Sequence, residues 1–166
     1  MSLDLDELRA RHPVLSAARA HDLSENAAFA LQRRHVAGVA LSIVAHENMS
    51  SMPLVWRRRE TEPVHLDAVR VTEDGAEAIA LALVHELEGW TIHRRLPRGE
   101  HADWLLKRDG TGVRMALEVS GTDEGPTEAR LREKLRQVAR ASSAFKRVAC
   151  VIRFTEPQAL LAQVPE

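Results

Sequence analysis

Two carboxylates, Asp103 and Glu118, bracket the stretch "WLLKRDGTGVRMAL". Asp103 opens one apolar run, "ADWLLKR", and Glu118 lies towards the end of another, "VRMALEVSG". The "DGTG" between them is a hairpin signal, because Asp and Gly accept positive φ. A hairpin sets its two open ends side by side, so the spacing predicts that the two carboxylates converge. Glu118, between Leu117 and Val119, then becomes a carboxylate in a strand suited to burial. That is costly unless the group is paired, protonated or bound to a metal. Converging carboxylates suit Mg²⁺, or Mn²⁺, which takes oxygen ligands and keeps several waters. An ion held there could activate water and balance charge on a phosphate. The same two groups also suit an ordinary salt bridge, to Arg94, Arg95 or Arg114.

Other residues near the pair could recognise an anion. In "EVSGTDEG", Ser120, Gly121 and Thr122 offer hydroxyls and backbone N–H groups, without the pattern of a P-loop. The segment "RLREKLRQVARASSAFKR" carries Arg130, Arg132, Lys134, Arg136, Arg140, Lys146 and Arg147, a basic face that could track phosphates. "WRRRE", with Arg57, Arg58 and Arg59, could extend it. A solvated face with local pairs to Glu128 and Glu133 is the plainer reading. "HELEGWTIH" is not HExxH, and no G-x-S-x-G surrounds Ser120, so a zinc protease and a serine hydrolase are not indicated. The single cysteine, Cys150, excludes an internal disulfide and a cysteine-rich zinc site. Within "VACVI" it reads as a buried small hydrophobe.

The elements that must position these groups follow from periodicity. "SLDLDELRARH" reads as a short helix capped by Ser2 or Asp4, and "LSENAAFALQRR" as a second, with Ser24 as a cap. "GVALSIVAHE" and "PLVWRRRE" read as strands of a hairpin around the turn-like "NMSSMP". "TEPVHLDAV" is a link to the second half. From Val71, Ala76, Ile79, Ala80, Leu83 and Leu87 recur at helical spacing, with Thr72 as cap and Gly89 as stop. Strands follow at "WTIHRRL", "ADWLLKR" and "VRMALEVSG". A helix then runs over "PTEARLREKLRQVARAS", with Leu131, Leu135, Val138 and Ala139 inward, and "RVACVIRF" is an apolar strand. "EPQALLAQV" is expected to form a short terminal helix. The helix between the last two strands is long enough for a right-handed crossover, so those strands should be parallel. The sum is an α/β (α+β) fold: a mixed central sheet flanked by helices. Residues 1–70 form an N-terminal helix and hairpin region packed on a core spanning 71–166.

The order helix-strand-strand-strand-helix-strand, with an Asp at the second strand and a Glu in the third, resembles the restriction-endonuclease-like, PD-(D/E)XK superfamily. The resemblance covers roughly the last hundred residues. It implies a restriction-endonuclease-like core and metal-dependent hydrolysis of nucleic-acid phosphodiesters, with Asp103 and Glu118 as ligands of Mg²⁺ or Mn²⁺. Ala102 stands where that group has proline, and Ser120 where it has its lysine, two residues beyond the second acid. The group relocates this lysine, which makes Lys134 or Arg130 the candidate cation. Its preceding helix often adds an acid, here Glu77 or Glu73. The resemblance thus implies Asp103, Glu118 and Lys134 as catalytic residues. The residues alone offer Ser120, Thr122 and Arg130 as substrate contacts. Ser120 in the lysine position equally fits a catalytically inactive binding or partner module.

Composition limits the alternatives. Over 166 residues, 45% hydrophobic and 28% charged is ordinary for a globular domain. A net charge of −1 makes no general polyanion binder. Aromatics at 4%, with no tyrosine, argue against a sheet that stacks single-stranded bases. No apolar run approaches a membrane span, and the charged opening "MSLDLDELRARHP" is unlike a signal sequence, so a cytoplasmic protein is expected. The first hairpin has the character of an open edge that could pair two copies into a homodimer, the basis of a third, regulatory reading.

Overall fold

A computed structural model describes residues 2–36, 38–60 and 67–165. Its frame is one mixed sheet of eight strands. In chain order the elements are β1 (Leu3–Asp4), α1 (Leu8–Arg11), α2 (Ala17–Gln32), β2 (Val39–Ala45), β3 (Asn48–Val55), α3 (Ala68–Glu88), β4 (Thr91–Arg95), β5 (Trp104–Lys107), β6 (Arg114–Thr122), α4 (Thr127–Val138), β7 (Lys146–Arg153) and β8 (Gln158–Gln163). The strands lie in the order β1-β3-β2-β8-β7-β6-β5-β4.

Alternation on the central strands sorts side chains into two layers. Met115, Leu117 and Val119 of β6, with Val148, Cys150 and Ile152 of β7, join the large core beneath α2 and α3. Ala116 and Ala149 face the other way, with Leu105, and meet Leu131, Leu135 and Val138 of α4. The expected parallel pairing of β6 with β7 is present, and so is the antiparallel β5–β6 hairpin. The first hairpin joins the same sheet, because β2 pairs in parallel with β8. The boundary drawn at 70/71 falls within the first turn of α3.

Several local expectations are corrected. "EPQALLAQV" forms no helix; its centre is β8, held between β7 and β2. Ala, Leu and Gln favour helix, but a central strand slot outweighs that propensity. "NMSSMP" is strand, and the turn lies one step earlier at His46 and Glu47, both at positive φ (49° and 70°). The opening segment holds only one turn of α-helix, after a short strand and a 3₁₀ turn capped by Asp4. α2 is capped by Ser16 and α3 by Asp67, so Ser24 and Thr72 lie inside helices. Most of the "TEPVHLDAV" link, 61–66, lies outside the described residues.

Two glycines set the approach of α3. A Cβ on Gly121 would strike the Thr72 carbonyl and lie 2.9 Å from Ala76 Cβ, so α3 rests directly on the end of β6. A Cβ on Gly75 would come within 3.1 Å of the Ala27 backbone, where α2 crosses α3. None of the described helices is long and apolar enough to cross a membrane.

Candidate active site

The site grows from the β5–β6 register. Trp104 pairs with Leu117 and Leu105 with Ala116. Asp103 N–H donates to the Leu117 carbonyl at 3.0 Å, which carries the ladder one step further and sets Asp103 opposite Glu118. Alternation then puts both carboxylates on the α4 side of the sheet, with Leu105 and Ala116. Asp103 is fixed by its own bond: Oδ2 accepts from Val119 N–H at 2.8 Å.

α4 supplies the cations. Lys134 Nζ lies 2.7 Å from Glu118 Oε1 and 3.1 Å from Gln137 Oε1. Arg130 Nη1 donates to Ser120 Oγ at 3.1 Å. The two contacts share one geometric cause. Four residues of helix rise about 6 Å and two residues of strand about 6.6 Å. An i,i+4 pair on α4 therefore meets an i,i+2 pair on β6, running in the opposite direction. Of the two candidates for the missing lysine, Lys134 reaches Glu118 and Arg130 does not.

Glu118 is almost fully buried, at 3% exposure. Burial, and then the Asp103 carboxylate beside it, raise its pKa to about 7 against the pull of Lys134. On the other face of the sheet, Glu77 of α3 is also buried. Its Oε2 accepts from Arg95 Nη1 at 2.6 Å, from Trp104 Nε1 at 3.2 Å and from Arg19 Nη2 at 3.5 Å. Burial raises its pKa as well. Arg95 also reaches Asp103, Nη2 to Oδ1 at 3.5 Å. Glu73 is exposed and takes no part.

The carboxylate pair lies in a cleft of about 700 Å³. Arg95 and Arg98 line one side, Arg136 of α4 and Arg140 just beyond its end the other, with Asp103 and Glu118 among the lining. No family model, curated protein or solved structure matches this chain. What the cleft can do therefore rests on its own chemistry. Ser120, Thr122 and Arg130 do not line it. Ser120 is engaged by Arg130, and the Thr122 hydroxyl donates to the Glu124 carbonyl at 2.7 Å. The arginines that do line it were legible only in part. Arg136 and Arg140 belong to the basic segment seen in the sequence, Arg95 is one of the salt-bridge partners expected there and pairs with Asp103, and Arg98 carries no motif.

As a donor set for a hard cation, Asp103 and Glu118 offer two carboxylates. No group of three or more His, Cys, Asp or Glu that could hold a metal occurs among the described residues. Two carboxylates suit an ion that keeps most of its water, as Mg²⁺ does. The raised pKa of Glu118 comes first from burial and then from the facing Asp103 carboxylate, while Lys134 pairs with Glu118 and Arg95 with Asp103.

Proposed function

We propose that this chain is a metal-dependent nuclease with a restriction-endonuclease-like core. The observation that carries the reading is that Asp103 and Glu118 converge at one end of a hairpin in a cleft lined by arginines, with Lys134 paired to Glu118. Asp103 and Glu118 would hold Mg²⁺ or Mn²⁺, which supplies an activated water and charge for the phosphate. Lys134 holds Glu118 in place, and two of its three N–H donors are engaged, by Glu118 and Gln137. The third would be free to orient water or a phosphate oxygen next to the acids. The bond from Val119 N–H keeps the Asp103 carboxylate turned towards Glu118.

The test is cleavage of DNA and RNA with Mg²⁺ or Mn²⁺, against a chelator control. Asp103→Ala and Glu118→Gln should each lower the rate by about 10³-fold or more, because each removes charge from the reacting centre. Lys134→Ala should lower it by about 10²-fold. Metal-dependent cleavage surviving in both acid variants overturns the reading.

Ser120 in the lysine position supports a second reading, an inactive binding module. It predicts nucleic-acid binding with no cleavage under any metal. The open edge of β3 supports a third, a regulatory homodimer. β1 covers that edge only at Leu54 and Val55, leaving 48–53 paired on one side by β2 and without a strand on the other among the described residues. Light scattering should then give twice the chain mass.

A further inference from the structure

Arg95 is half-exposed at the rim of the cleft, yet it is held from three sides. Nη1 lies 2.6 Å from the buried Glu77 carboxylate, the guanidinium carbon 4.6 Å from the centroid of the Trp104 ring, and Nη2 3.5 Å from Asp103 Oδ1. The Trp104 indole N–H closes the triangle by donating to the same Glu77 oxygen at 3.2 Å. A guanidinium stacked on a ring and tethered to a buried carboxylate has lost most of its rotamer freedom before any ligand arrives. It has five N–H donors in one plane, and these bonds use only two of them.

Arg95 does not stand alone. Arg98 follows on the β4–β5 connection, and Arg136 of α4 and Arg140, just beyond the end of α4, also line the cleft. Trp104 has its ring face occupied by Arg95, and no Trp or Phe lines the cleft. Charge without stacking rings favours contact with phosphates over contact with bases.

We propose that Arg95, Arg98, Arg136 and Arg140 form a binding site for the phosphodiester backbone of nucleic acid, read without base contacts, and that Glu77 is the positioning residue that fixes Arg95. The assignment deepens the nuclease reading and rests on it for the identity of the ligand, but its test needs no catalysis. Fluorescence anisotropy of a labelled DNA duplex, in chelator, measures affinity across a salt series for the full-length protein. Arg95→Ala should weaken binding about ten-fold, as expected for losing a charge-assisted contact. The Arg136→Ala/Arg140→Ala variant, altered only at exposed positions, should weaken it further. Each arginine removed should lower the slope of log affinity against log salt by about one. Two unrelated duplex sequences should bind alike. Glu77→Gln should bind between wild type and Arg95→Ala, and should cost nothing further when added to Arg95→Ala, a dependence on Arg95 that general loosening of the fold would not give.

Unchanged affinity and salt slope in both arginine variants would overturn the site, and would leave the acid-variant cleavage test untouched. Strong sequence preference would overturn the backbone assignment. Wild-type affinity in Glu77→Gln, or a further loss when it is added to Arg95→Ala, would remove Glu77 from its role. Conversely, binding that behaves as stated in a protein that never cleaves would retain the site and retire the nuclease.

Discussion

At the residue scale, Lys134 does for Glu118 what a strand lysine could have done from two positions away. Ser120 points to the same side as Glu118, so a lysine there would have shared its face. Instead the cation comes from α4, and Nζ lies 2.7 Å from the carboxylate. Its value depends on the charge state of its partner. Above pH 7 Glu118 is ionised and almost fully buried, and removing the ammonium leaves that charge facing Asp103. Lys134→Ala should then cost about 3 kcal/mol. At pH 5 the Glu118 carboxyl holds its proton and the loss should shrink to a small fraction of that. Urea unfolding at the two pH values, without metal, measures the difference; equal losses would mean that Lys134 acts only by packing. Asp103 and Glu118 were legible as a pair because hairpin ends meet by rule. The Glu77–Arg95–Trp104 cluster was not. Its members come from α3, β4 and β5, and only the packing of α3 on the sheet brings the carboxylate to the guanidinium.

At the element scale, the site depends on how closely two helices lie on β6. α4 meets it through long side chains, so its distance can adjust. α3 meets it through backbone at Gly121, and cannot. Gly121→Ala should push α3 off the sheet at Thr72 and Ala76 and cost about 3 kcal/mol, the upper end for overpacking. It should also lower nucleic-acid affinity, since α3 carries the Glu77 that holds Arg95. A melting curve and the anisotropy titration check both; a neutral effect on stability would show that the helix can move. Most of the elements from Val71 onward could be read from sequence, because period-two runs and a helical apolar stripe are strong, local patterns. β8 could not. "QALLAQ" has the composition of a helix, and only its slot between β7 and β2 makes it a strand. The caps failed for a related reason: Ser24 and Thr72 are good cap residues, but Ser16 and Asp67 stand where the helices begin.

At the scale of the whole molecule, two buried titratable groups sit in different places and pull stability in opposite directions. His12 is fully buried where the N-terminal segment meets the sheet. Its Nε2 lies 3.0 Å from the Leu81 carbonyl, and its Nδ1 accepts from Ile92 N–H at 3.2 Å, so the neutral ring ties α1 to α3 and β4. Burial lowers its pKa from 6.5 to about 4. The unfolded chain takes up this proton below pH 6.5 and the folded chain does not, so the contribution of His12 is present above that value and is lost as pH falls towards 4. Glu118 has the reverse sign. Folded, it keeps its proton up to about pH 7, whereas the unfolded group releases it near 4.5, so stability falls as pH rises through that window. Between pH 4.5 and 6.5 the two slopes oppose each other, so in the metal-free protein each group offsets part of the other. Each substitution should uncover the other group. Glu118→Gln removes the alkaline decline and leaves stability falling steadily on acidification. His12→Asn should cost about 2 kcal/mol at neutral pH, because Ile92 N–H loses a well-placed acceptor. Its profile should then fall as pH rises from 4.5 to 7. Chemical unfolding of the three proteins across pH 4 to 8 decides the matter. Parallel profiles would mean that neither group is perturbed as its surroundings require. If the acid loss in Glu118→Gln came as a separate early transition, the N-terminal segment would be opening alone rather than as part of the one sheet that β2 and β8 join.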